Sequence, residues 1–110
     1  MGVPLSTKFR ERVKELIMSE LDDQIFDEEI RVINSWQENG IIKDMRSAII
    51  GCLFWKSMES VMKVGFTLNM NPLEMRILYN EIFIEFIAEA NKNITERLEK
   101  VVGKPHDYAV

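Results

Sequence analysis

Three glutamates spaced four residues apart, Glu81, Glu85 and Glu89, are the most conspicuous array of chemistry-bearing side chains in this chain of 110 residues. On a helix that spacing lines carboxylates along one side, where they could bridge metal ions. A carboxylate-bridged di-metal bundle also needs Glu-x-x-His pairs, and the single histidine, His106, sits in the C-terminal tail. A second acidic group, Glu20, Asp22, Asp23, Asp27, Glu28 and Glu29, lacks the alternating ligands, central glycine and closing glutamate of a calcium loop. Cys52 lies in an apolar run with neither cysteine nor histidine nearby in sequence, and the glycines are scattered. Neither a thiol nucleophile nor a phosphate-cradling loop is indicated. The expectation is a non-enzymatic protein without metal or cofactor.

Other motifs point to binding. Lys8, Arg10, Arg12 and Lys14 crowd the start of the first helix, the wrong sign for a helix N-terminus, and make a candidate patch for an anion or nucleic acid. Met45, Met58, Met62, Met70 and Met75 could line an adaptable groove for a partner helix. Met1-Gly2-Val3-Pro4-Leu5-Ser6 fits the short pattern for N-myristoylation, and Tyr108-Ala109-Val110 has the form of a C-terminal peptide ligand. Glu20-x-x-Asp23 precedes Glu96-x-x-Glu99, the reverse of the order used by all-helical Mg²⁺-dependent nucleotide pyrophosphatases.

The bulk properties narrow the class. A net charge of −4 argues against general nucleic-acid binding, which draws its affinity from a basic excess. The lone cysteine suits a reducing, cytoplasmic setting, and no uncharged apolar run is long enough to span a bilayer, so no membrane partner is expected. With 46% hydrophobic and 29% charged residues, the chain reads as one globular helical domain.

Hydrophobic periodicity and capping signals predict four helices, over about 6–21, 27–39, 43–66 and 71–102, with loose ends at 1–5 and 104–110. Asn39-Gly40 is a helix stop, and Trp36 and Trp55 are expected in the core. Ser47 and Gly51 make a small-residue patch where another helix could approach closely. The last helix opens with Asn71-Pro72-Leu73-Glu74 and closes at Gly103. Its first half is apolar around most of its circumference, with Met75, Leu78, Tyr79, Ile82 and Phe86 in front, Phe83 and Ile87 at the side, and Leu73, Ile77 and Ile84 behind. The expected fold is thus all-α and bundle-like, with three shorter helices packed on a long C-terminal helix. Ile77, Ile82, Phe83, Phe86 and Ile87 are expected to form a homodimer interface. The expected role is a small protein–protein interaction, regulatory or assembly module. The alternative is a nucleic-acid-associated regulator that uses the basic start of the first helix.

Overall fold

The computed structural model describes residues 2–103, with side chains from Thr7 onward. The described residues form five helices: α1 (Gly2–Asp22), α2 (Gln24–Glu38), α3 (Met45–Thr67), α4 (Pro72–Glu89) and α5 (Asn91–Val102). All-α architecture holds, but the helix count and several boundaries differ from those expected. α1 begins at Gly2 instead of near Ser6, and the tail from Lys104 lies outside the described residues.

The α1–α2 join is a single residue, Asp23, whose extended backbone turns the chain while its carboxylate accepts from the Ile25 N–H at 2.9 Å. The cap is therefore Asp23, so the helix starts ahead of the expected 27; Asp27 lies in its first turn and pairs with Arg97 of α5 at 2.8 Å. α2 ends as Asn39-Gly40 suggested. The Gly40 N–H reaches the Gln37 carbonyl at 3.1 Å, the Ile41 N–H reaches that of Trp36 at 2.8 Å, and Gly40 sits at φ +74°. α3 starts at Met45 behind an Asp44 cap that accepts from Ser47 N–H and Oγ–H. Hydrogen bonding from the Ser47 hydroxyl, the largest contribution, holds the Asp44 carboxyl below its ordinary value. At the other end of α3 the same stop motif recurs with Asn69 in the left-handed position, at φ +59°.

The single long helix expected over 71–102 is two helices. Ala90 leaves helical geometry, at φ −100° and ψ 15°, and α5 begins at Asn91. A side chain of α3 reaches the first turn of α5. The Arg46 guanidinium, reaching from α3, donates to the Asn91 carbonyl at 3.3 Å, to the Asn91 side-chain oxygen and to the Thr95 hydroxyl at 2.9 Å. These bonds tie the first turn of α5 to α3.

The molecule measures 49 × 23 × 21 Å, about two helices thick in each short direction. α1, α3 and α4 pack on one another at one end, while α2 lies against α3 and α5 at the other. One core runs through both ends, from Phe9, Val13, Ile17 and Leu21 of α1 to Ile94 and Leu98 of α5. α3 and α4 meet at Gly65, where an added Cβ would fall 1.5 Å from the Met75 sulfur. Close approach therefore belongs to Gly65 and not to Gly51, beside which nothing lies within 4 Å. The two tryptophans are a further correction, since Trp36 is 41% and Trp55 61% exposed.

Candidate functional site

α4 is aimed by its cap. The Asn71 side-chain oxygen accepts from the N–H groups of Leu73 at 2.8 Å and Glu74 at 3.3 Å, and Pro72 fills the first helical position. From there the helix carries two stripes. Met75, Tyr79, Ile82 and Phe86 run at spacings of four, three and four residues and are buried, with Phe83 beside them. Leu73, Ile77, Asn80 and Ile84 run at the same spacings, displaced by two residues, which is about 200° around a helix. Leu73, Ile77 and Ile84 are 68%, 58% and 62% exposed.

The inner stripe is filled from within the chain. The Tyr79 hydroxyl donates to the Phe54 carbonyl at 2.5 Å, and its ring lies 4.7 Å from that of Phe54. Burial pushes the phenol far above its ordinary value. Phe83 meets Phe54 edge-on at 5.0 Å. Of the expected self-association residues, Ile82, Phe83 and Phe86 are therefore core of a single chain, Ile87 is half-buried against that core, and Ile77 alone stands clear. This corrects the expected interface, because side chains already covered by α1 and α3 are not free to meet a second copy.

The outer stripe has shoulders. Leu73, Ile77 and Asn80 border an open depression of about 480 Å³, closed on its other sides by Phe54, Arg76 and Glu81. The Arg76 guanidinium lies 5.8 Å from the Trp55 ring centroid, so Trp55 extends the apolar surface onto α3. Leu73 and Ile84 belong to this surface although the expected interface omitted them. Their signal in the sequence was the second four–three–four stripe, offset from the first.

The other candidates divide. The glutamate ridge and the basic patch, remote in sequence, largely neutralise each other: Glu85 pairs with Arg10 at 2.5 Å and Lys14 at 3.2 Å, and Glu89 with Lys14 at 3.0 Å. The hydrogen bond to Glu89, the largest contribution, raises the Lys14 ammonium above its ordinary value. Arg12 pairs with Glu15 of its own helix at 3.4 Å, and Lys8 is exposed. As an anion patch the set is corrected to one with two of its four cations tied to α4.

The five methionines do not all lie together. Met45 is buried at the start of α3, Met58 lies about 20 Å further along that helix, and Met75 is buried on Gly65. Met58, Met62 and Met70 are half-buried against the core. The acidic corner is similarly dispersed among the Asp23 cap, the Asp27–Arg97 pair, an Arg31 pair on Glu28, and Glu29, which faces Lys56 at 3.8 Å. Cys52 is half-buried, with its sulfur 3.9 Å from Glu29; burial, then the Glu29 charge, pushes its thiol up. No three potential metal ligands gather among the described residues, and His106 and Tyr108–Val110 lie outside them. No described helix is long and apolar enough to cross a membrane. In comparisons with protein families, curated proteins and solved structures, no match to this chain is found.

Proposed function

We propose that this chain is a non-catalytic protein–protein interaction module, regulatory or assembly in role, that self-associates through the outer stripe of α4. The observation that supports this reading is the exposure of Leu73, Ile77 and Ile84 in one line, opposite a face of equal spacing that the chain buries for itself. Scattered exposed apolar residues are ordinary, whereas several aligned on one face of a helix suit a contact surface. The fold explains why the line is open: α2, the helix that could have covered it, lies instead beside α5 and α3. α2 itself leaves Ile25, Val32 and Trp36 exposed, a second apolar side that suits an adaptor with a heterologous partner.

Light scattering across micromolar concentrations tests the proposal, with a mass twice that of the 12.9 kDa chain as the expected result. A monomer throughout would overturn it. Salt-sensitive retention of duplex DNA, lost on neutralising Lys8 and Arg12, would instead favour the nucleic-acid reading.

A further inference from the structure

The outer stripe has a heptad order. With Ile77 and Ile84 at a-type positions, Leu73 and Asn80 fall at d-type positions, and Arg76 and Glu81 occupy the two flanks. β-Branched residues at a with leucine at d favour two parallel strands. The flanks carry the stronger constraint. In a parallel pair, the residue just before an a position reaches the partner's residue five further along. Here that brings Arg76 to Glu81 of the other copy, and the two-fold axis repeats the contact. In an antiparallel pair like flanks meet, so Arg76 and Glu81 stay on opposite sides of the seam. Neither residue is committed to an ion pair among the described residues. Among the described residues Glu81 makes no ion pair, and Arg76 has only its stacking contact with Trp55.

Resting on the self-association proposed above, we infer that the occupant of this stripe is a second copy of the chain, docked parallel and in register, with two Arg76–Glu81 pairs across the seam. Asn80 then faces its twin, and the paired amides penalise any shifted register that would set one against an isoleucine. The helix is too short to hold a coiled coil alone, but its inner stripe already fixes it.

Disulfide trapping tests the arrangement in a Cys52→Ser background, with Leu73→Cys and Ile84→Cys as separate variants, both at exposed positions. Under mild oxidation each is expected to link to its own kind. Linkage only when the two variants are mixed would mean antiparallel packing and would overturn the inference. Arg76→Glu and Glu81→Arg are each expected to weaken the dimer by roughly tenfold, and mixing them to restore it. A dissociation constant untouched by either change would defeat the charge exchange. The wild-type mass separates the two levels. A dimer that fails to self-link defeats the parallel arrangement alone, whereas a monomer defeats the self-association reading with it.

Discussion

The two stripes of α4 have the same spacing and are both largely apolar, yet one is core and the other surface. Met75, Tyr79, Ile82 and Phe86 are buried against the rest of the chain, while Leu73, Ile77, Asn80 and Ile84 stay exposed. Periodicity measures how apolar a face is; topology decides whether the chain can cover it. The outer stripe differs in the residues themselves by its polar member, Asn80, at the position that Ile82 holds in the inner, and by having no aromatic side chain where the inner has Tyr79 and Phe86.

The comparison breaks first at its strongest point. Phe86→Glu places a charge in the buried stripe and should cost more than about 4 kcal/mol, unfolding the domain in thermal denaturation followed by circular dichroism. A folded variant would mean that the inner stripe is not core. Gly65→Ala, which drives a methyl into Met75 behind the same stripe, should destabilise by about 1–3 kcal/mol in urea denaturation. Gly51→Ala, on the same helix but with open space beside it, should instead stabilise by about 0.5–1 kcal/mol. Equal effects at the two glycines would show that the α3–α4 contact is misplaced.

The ionic rim of the inner stripe gives the smallest effect. Because the Lys14 pKa is raised in the folded state, its contribution is fully present below the ordinary lysine value of about 10.4 and is lost as pH rises through the folded value. Stability should therefore fall more steeply in that alkaline window for the wild type than for Lys14→Met. Identical alkaline slopes would leave the ridge without a structural role.

The start of α4 was legible because Asn71 and Pro72 act locally, and so was the end of α2, where Gly40 supplies the left-handed residue the stop requires. The break at Ala90 was not, since neither proline nor glycine marks it, and Arg46, the α3 cation that holds the start of α5, is remote in sequence but adjacent in space. The same holds for the glutamates: read alone, Glu85 and Glu89 suggest metal chemistry or a solvated face, and only the fold brings Arg10 and Lys14 beside them. The outer stripe was visible as apolar residues, but assigning the interface to Ile82, Phe83 and Phe86 required knowing which side α1 and α3 would take. Trp36 and Trp55 make the same point, since large apolar residues default to the core only when another element arrives to cover them.

The most direct measurement is sedimentation equilibrium of the wild type beside Ile77→Glu/Ile84→Glu, with thermal unfolding of both recorded at concentrations where each is monomeric. The prediction is a dimer for the wild type, a monomer for the double variant, and monomer stabilities within about 0.5 kcal/mol of each other, as expected for exposed sites. A monomeric wild type, or a double variant that unfolds, would contradict the assignment of α4's outer stripe to self-association.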